Sequence, residues 1–448
     1  MLPDAYGDRN VCVVGLGYVG LTLAVAMADV GFSVHGLEKR DEVLDILSQG
    51  KSHFWEQGLD DKLVRVREQG RLTLSKELNP DVKASVYVIT VGTPLGPDGQ
   101  ARLDMVEAAT RQVAEHMDDG ALIILRSTVK LGTGRNVVRP ILEASGKQFQ
   151  LASCPERTLE GRALTELYEL PQIVGADDLE TTMRAAQMFQ FMTPTIVRVH
   201  KLETGELIKL VDNTYRDVTF GFANEVARIC QAVGIDAQEV IRSGKLGYPR
   251  TNVAWPGPVG GPCLEKDPHI LTESARSYGI QLDITPAGRR VNEGMPQEAA
   301  DKIASFYRQL EGAQKTPRVA LLGWAFKGEP ATDDLRGTMA FPIRDAIERA
   351  LPGCDIIAYD AIVENSELQA LGVATADTIA DAFEGADIAV LMNNHRELRS
   401  MPIEKMVSSM RHPGVVFDFW NSFSNQDLNL SEGTAYLGLG GALQTSGL

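Results

Sequence analysis

Between Trp255 and Pro268 the chain reads Trp-Pro-Gly-Pro-Val-Gly260-Gly261-Pro-Cys263-Leu-Glu-Lys266-Asp267-Pro. Prolines and paired glycines exclude regular helix there, and such a loop brings backbone close to a ligand and presents a thiol. An unperturbed thiol titrates near ~8.5, so a nucleophilic cysteine needs cationic neighbours; Lys209 or Lys266 would supply them and Asp267 would oppose them. Upstream, Lys209 and Asn213 stand one helical turn apart, so a helix projects both from one face. An ammonium and a side-chain amide pointing the same way can hold an oxygen that gains negative charge. Taken alone, a free cysteine is more often a buried structural one, and such a Lys–Asn pair is more often a solvated polar face. Cys12, Cys154, Cys230 and Cys354 sit in strand, helix or short apolar contexts and read as structural.

The first strand-like run leads into Gly15-Leu-Gly17-Tyr18-Val19-Gly20, with a helical pattern directly behind it. In this G-x-G-x-x-G, Gly15 permits the tight turn, Gly17 lets the backbone approach a pyrophosphate, and Gly20 lets the helix pack close to the strand. The N–H groups of the helix start, at Tyr18 and Val19, then face the phosphates. The second strand run ends at Glu38, where a carboxylate bonds the adenosine ribose and repels a 2′-phosphate, favouring NAD over NADP. Lys39 and Arg40 follow at once and weaken that preference. Val91-Gly-Thr93-Pro94 and Arg126-Ser127-Thr128 follow two further strand runs, at the carboxyl ends where ligands lie in open α/β sheets.

The elements that must position these residues alternate. Strand-like runs at Val11–Gly15, Val34–Leu37, Val86–Val91, Ala121–Leu125 and Thr195–Val199 are separated by amphipathic stretches, which predicts a parallel sheet with helices on both faces. From Thr204 to about Val233 the period becomes helical, with Leu207, Val211, Thr214, Val218 and Phe222 on one stripe. At Lys315 the strand–helix pattern restarts, with strands at Arg318–Gly323, Asp355–Tyr359 and Ala386–Met392, and a helix at Ala340–Leu351. The reading is residues 1–200 as a dinucleotide-binding domain, 201–312 as a helical domain, and 313–448 as a second α/β domain. The two α/β parts are candidates for a coarse duplication, and the terminal Gly-Ala-Leu-Gln-Thr-Ser-Gly-Leu is expected to fray.

A chain of 448 residues is too long for one ordinary core. Its net charge of −16 argues against nucleic acid as a partner, which needs a basic footprint, and an anionic substrate must find a local basic pocket. No apolar run approaches the roughly 20 residues that span a bilayer, and Met-Leu-Pro-Asp-Ala-Tyr-Gly-Asp-Arg-Asn lacks the plan of a secretory signal. A cytoplasmic protein with no membrane partner is expected. Five scattered cysteines, with no zinc-ligand spacing, predict neither a disulfide framework nor a metal.

In chain order, Gly15–Gly20, Thr93-Pro94, Ser127-Thr128, Pro155-Glu156-Arg157, Lys209 with Asn213, Gly260-Gly261-Pro262-Cys263 with Lys266-Asp267, and Phe326-Lys327 with Thr332-Asp-Asp-Leu-Arg336 resemble the UDP-glucose/GDP-mannose dehydrogenase family. The ordered set is far more specific than any member, and it displaces the structural readings of Cys263, Lys209 and Asn213. The resemblance implies an α/β fold of two Rossmann-like domains with parallel sheets, joined by a long central helix and a helical dimerisation region. It implies a homodimer or higher homo-oligomer, a place in polysaccharide biosynthesis, and oxidation of a nucleotide sugar by two NAD+ in succession. Carried over, Cys263 is the nucleophile, Lys209 and Asn213 stabilise the oxyanion, Glu160 is the general base, Thr128 positions water, and Asp267 joins that network. Glu156, Arg157, Gly260, Gly261 and Phe326 contact the substrate, Lys327 and Arg336 hold its nucleotide part, and Arg250 reaches it from the neighbouring subunit.

Cys154-Pro-Glu-Arg157 and Val291-Asn-Glu-Gly-Met-Pro296 are similar to members that oxidise N-acetylhexosamines. Pro258-Val-Gly-Gly-Pro departs from the Gly-Tyr-Gly-Gly of glucose members, while Lys266 is closer to them. The expected reaction is oxidation of the C6 hydroxyl of UDP-N-acetylmannosamine to the uronic acid through a Cys263 thiohemiacetal and thioester. UDP-glucose and UDP-N-acetylglucosamine are the alternatives. A two-electron hydroxyacid-type dehydrogenase, with no role for Cys263, and a non-catalytic nucleotide-sugar-binding protein are the remote ones.

Overall fold

The computed structural model describes residues 2–3, 5–79, 82–423 and 427–447. The chain divides into two compact units, Met1–Asn213 with His269–Gln281, and Thr214–Pro268 with Leu282–Leu448. The helical stretch that periodicity sets apart is thus shared between them.

The first unit is built on eight strands: β1 (Asn10–Val14), β2 (Ser33–Leu37), β3 (Leu72–Ser75), β4 (Val86–Ile89), β5 (Ala121–Leu125), β6 (Phe149–Ser153), β7 (Gln172–Gly175) and β8 (Ile196–Val199). Their order is β3-β2-β1-β4-β5-β6-β7-β8. The first six run parallel. β7 turns antiparallel to β6, and β8 follows β7 in parallel. A parallel strand covered on both faces reads as a continuous apolar run, and β4 and β5 are buried at every position. β3, β6 and β7 are short and mix polar with apolar residues, so no such run marks them. The order reverses between β1 and β4, which puts the crevice of an open sheet at their carboxyl ends.

The second unit carries β9 (Arg318–Leu322), β10 (Asp355–Tyr359), β11 (Ala374–Thr375), β12 (Ile388–Leu391), β13 (Gly414–Asp418), β14 (Thr434–Gly438) and β15 (Leu443–Ser446). Their order is β11-β10-β9-β12-β13-β14-β15, the same winding as the first six strands of the other sheet. The likeness reaches single hydrogen bonds. Gly15 N–H donates to Leu37 O and Gly323 N–H to Tyr359 O, each at 2.8 Å. Leu16 N–H donates to Glu38 Oε2 at 3.0 Å and Trp324 N–H to Asp360 Oδ2 at 2.6 Å. Both glycines take φ of 92°, a left-handed backbone that disfavours any side chain. The tail does not fray: β15 pairs antiparallel with β14 from Leu443 to Ser446, because that strand otherwise leaves an unpaired edge. Leu448 lies outside the described residues.

The long helix runs Leu202–Val233. Its apolar stripe is only partly buried: Thr214 is 4% exposed, but Val211 and Phe222 are 47% and 54% exposed, while the polar Lys209 and Asn213 are 7% and 5% exposed. Burying such polar side chains requires partners for them. Tyr215, Ile229 and Val233 extend the exposed stripe in steps of four and seven residues.

Candidate active site

In the first unit the three glycines of the fingerprint divide their labour as the motif requires. A Cβ on Gly15 would meet Val91 at 3.0 Å, one on Gly20 would lie 1.8 Å from Gly15 O, and one on Gly17 would point into open space. The turn and the helix–strand contact therefore need glycine for packing, while the open ground above Gly17 is where a pyrophosphate fits. The helix Tyr18–Val30 starts there with no side-chain cap, so its first N–H groups and dipole are available to phosphate. Glu38, 6% exposed, waits at the end of β2. Burial pushes its carboxyl up, but Arg40, through side chain and backbone, and the Leu16 N–H outweigh burial and hold it below its ordinary value. Arg40 grips both oxygens at 3.0 Å. These residues fit NAD: a closed turn, a bare helix start and an ionised carboxylate at the end of β2.

Thr90 Oγ1 donates to Gly15 O at 2.7 Å and ties β4 to the glycine turn. Thr93 Oγ1 donates to Thr128 O, and Ser127 Oγ to Val91 O at 2.6 Å. The two loops after β4 and β5 are thus stitched side by side. Arg126 is 2% exposed. It pairs with Glu156 and donates to Cys154 O and Gln172 Oε1 at 3.0 and 2.9 Å. Burial pushes Glu156 up, but the charge of Arg126, the Thr158 N–H and the charge of Lys209 outweigh it and hold the carboxyl low. Glu156 also accepts from the N–H groups of Arg157 and Thr158 at 2.7 and 2.8 Å, so it shapes its own loop. Arg157 lies 3.6 Å from Asp212 on the long helix, next to Asn213.

Two acids absent from the sequence reading hold this side of the site. Glu56, 6% exposed, bonds the Tyr18 hydroxyl and accepts from Gly161 N–H at 2.7 Å. Burial, then the hydrogen bond and charge of Glu56, and finally the charge of Glu160, push the Tyr18 phenol far above its ordinary value. Glu56 thus fixes the loop that carries Glu160 to the first helix. Glu206, 3% exposed, accepts from Gly132 and Gly134 N–H at 2.6 Å each. It joins the segment after Thr128 to the helix that bears Lys209. Burial pushes its carboxyl up to about 7. An acid in an apolar stretch is the only sequence signal for either.

In the second unit the cysteine loop is laid against the loop after β9. Gly261 N–H donates to Gly337 O at 2.7 Å. A Cβ on Gly260 would lie 2.3 Å from Gly337 O, and one on Gly261 would lie 2.5 Å from Phe326. Arg336 grips Asp334 with Nε and Nη2 at 2.9 and 2.6 Å while its side chain stays 59% exposed. Lys327 Nζ lies 5.2 Å from the Phe326 ring centre. Cys263 O accepts the Asp267 N–H at 2.9 Å, which opens the helix Asp267–Ser277. Asp267 is fully buried and bonded to Lys266 at 2.6 Å. Cys263 is half-buried, whereas Cys12, Cys154 and Cys230 are buried. Burial pushes Cys12 and Cys154 up to about 12 and raises Cys230 and Cys354. Arg250 is exposed and stacked on Tyr248, 4.5 Å from its ring centre. Lys209 and Asn213 belong to the first unit, Cys263 and Asp267 to the second.

Comparison with known proteins agrees with this geometry. The NAD binding domain of the UDP-glucose/GDP-mannose dehydrogenase family matches residues 9–193, its central domain 203–294, and its UDP binding domain 320–425. The chain is 32% identical to UDP-N-acetyl-D-mannosamine dehydrogenase of Pyrococcus horikoshii, over 91% of this chain and 94% of that one. A solved structure of UDP-D-ManNAc dehydrogenase from the same organism superposes with a TM-score of 0.86 at 31% identity, covering 96% of this chain and 99% of the other. A UDP-glucose dehydrogenase from Pyrobaculum islandicum also reaches 0.86, at 26% identity, covering 98% and 99%. With a dinucleotide turn, an NAD binding domain and a UDP binding domain, this is an NAD-dependent nucleotide-sugar dehydrogenase, and the chain belongs to the UDP-glucose/GDP-mannose dehydrogenase family.

Proposed function

We propose that the enzyme oxidises the C6 hydroxyl of UDP-N-acetylmannosamine to the carboxylate in two steps at one site, with Cys263 as covalent nucleophile. The observation that carries this reading is the contrast among the thiols: Cys263 alone combines partial exposure with a glycine-lined loop against Phe326, while burial pushes the other four upward. NAD+, when bound, accepts the hydride of each oxidation.

Loss of the first hydride and the hydroxyl proton leaves an aldehyde. The Cys263 thiolate adds to its carbonyl carbon, and Lys209 and Asn213 hold the resulting oxyanion. Loss of the second hydride leaves a thioester. Water, deprotonated by Glu160 and positioned by Thr128, breaks the C–S bond, releasing the uronic acid and the thiolate. Asp267, bonded to Lys266, holds that lysine's charge beside the loop. Lys327 and Arg336 take the diphosphate end, and Glu156 and Arg157 shape the sugar side.

The choice of sugar is supported by Cys154-Pro-Glu-Arg157, by Met295-Pro296 and by the relative in Pyrococcus horikoshii. UDP-glucose is the second reading, favoured by Lys266 and by the likeness to the Pyrobaculum enzyme. Initial rates with UDP-N-acetylmannosamine, UDP-N-acetylglucosamine and UDP-glucose decide it: the highest kcat/KM belongs to the first, and a preference for UDP-glucose overturns the sugar assignment.

The same reading makes the enzyme a cytoplasmic homodimer in polysaccharide biosynthesis. Exposed Val211, Tyr215, Phe222, Ile229 and Val233 give the long helix a seam of the kind that pairs helices. Arg250, exposed in the loop beyond it, is the residue a partner's substrate would meet.

A further inference from the structure

We propose that Arg289 is a positioning residue that sets Cys263 for attack on the aldehyde; this rests on the reading of Cys263 as nucleophile. Four buried polar residues form one network behind the cysteine loop: Asp217 and Asn292 at 0% exposure, Arg289 and Asn224 at 3%. Asp217 and Asn224 come from the helix Leu202–Val233, and Arg289 and Asn292 from the helix Ile284–Arg308. Arg289 Nη1 donates to Asp217 Oδ1 at 2.7 Å and to Leu264 O at 2.8 Å, and Nη2 donates to Val259 O at 3.1 Å. Asn292 Nδ2 donates to the same Asp217 Oδ1 and to the Asp217 backbone O, at 2.9 Å each. Asn224 exchanges two bonds with the backbone of Gly257, at 3.0 and 3.2 Å, and its Nδ2 also donates to Asn292 Oδ1 at 3.0 Å.

The loop is therefore held at Gly257, Val259 and Leu264, on either side of the Gly-Gly-Pro-Cys turn, and one guanidinium spans the last two. Proline and glycine keep Gly257, Val259 and their neighbours out of regular helix and strand. The fork of Arg289 ties the carbonyls of Val259 and Leu264 together, and a lysine, with one nitrogen, cannot reach both while paired to Asp217. The first hydride transfer does not use the thiol; the second requires it within attack distance. A shift on the order of 1 Å in a reacting group can cost about 100-fold in rate.

The test is Arg289→Lys under single turnover with excess NAD+. The first NADH should form at the wild-type rate, and the second about 10- to 100-fold slower, with aldehyde trapped by hydroxylamine in the interval. Alkylation of Cys263 by iodoacetamide should change in rate, while NAD affinity stays within about twofold. Equal slowing of both phases, or no slowing, overturns the proposal. Should Arg289→Lys fail to fold, Asn224→Ala loosens the Gly257 end without stranding a buried charge; it should slow the second phase selectively, and an unchanged second phase overturns the proposal. Cys263→Ala separates the two readings: if it still forms the second NADH at the wild-type rate, the nucleophile assignment has failed, whatever Arg289 does.

Discussion

Single side chains decide the cofactor and the nucleophile. Glu38 is ionised and saturated by Leu16 N–H and Arg40, so ribose hydroxyls must share it with an exposed guanidinium. Glu38→Ser should remove the carboxylate and free Arg40 for a 2′-phosphate. NAD binding should weaken by about 1–3 kcal/mol, the cost of a lost charge-assisted hydrogen bond, and NADP binding should improve in the same titration. Unchanged NAD affinity would remove Glu38 from the ribose site. The thiols give a second prediction at this scale. Burial keeps Cys12 and Cys154 protonated up to about 12, so brief iodoacetamide treatment near neutral pH should label Cys263 first. Peptide mapping that finds another cysteine first would contradict the assignment. These residue types were legible in sequence because their neighbours are as specific as they are. Arg289, Glu56 and Glu206 were not, because a buried acid or arginine looks in sequence like any surface charge, and only the fold shows what it grips.

At the scale of elements, the turn between β1 and its helix separates packing from binding. Gly20→Ala puts a methyl 1.8 Å from Gly15 O, against backbone that cannot yield. It should destabilise the protein by about 1–3 kcal/mol, the range for overpacking. Gly17→Ala meets open space and should leave the melting temperature in place while abolishing NAD binding. Equal effects of the two on stability would contradict this division. The helix start at Leu202 carries a pH-sensitive tie. Burial raises the Glu206 pKa to about 7 in the fold, from an ordinary 4.5. Its folded pKa is raised, so its contribution is fully present below about 4.5 and is lost as pH rises through about 7, a swing on the order of 3 kcal/mol. Glu206→Gln should flatten that part of the dependence, seen as the difference in urea midpoint between about pH 5 and about pH 8. Parallel curves for both proteins would exclude Glu206 as its source. Eight strands were visible as apolar runs. β3, β6, β7 and β11 escaped because short strands that mix polar and apolar residues leave no period to read, β13 and β14 because each apolar run is only a few residues long, and β15 because its Gly-rich setting resembles a tail.

Across the whole molecule, one winding is used twice, with the same glycine turn and the same acid-to-backbone bond at its first crossover. Periodicity shows that two α/β parts exist, but not that their strand orders coincide, since order is set by pairings distant in sequence. The long helix shows the limit of reading amphipathicity: Val211 and Phe222 of its apolar stripe are exposed, while the polar Lys209, Asn213 and Asp217 are buried. Phe222→Asp with Ile229→Asp should convert a dimer to monomers in sedimentation velocity, with the residual fold intact by circular dichroism. A dimer that survives both charges would place the interface elsewhere. A four-electron oxidation through one cysteine is tested by counting NADH formed per limiting UDP-N-acetylmannosamine, with NAD+ in excess, for the wild type and for Cys263→Ala. Two NADH per sugar and no free aldehyde are expected for the wild type, and no thioester-dependent second equivalent for the variant. One NADH per sugar from the wild type, or two at the wild-type rate from the variant, would contradict it.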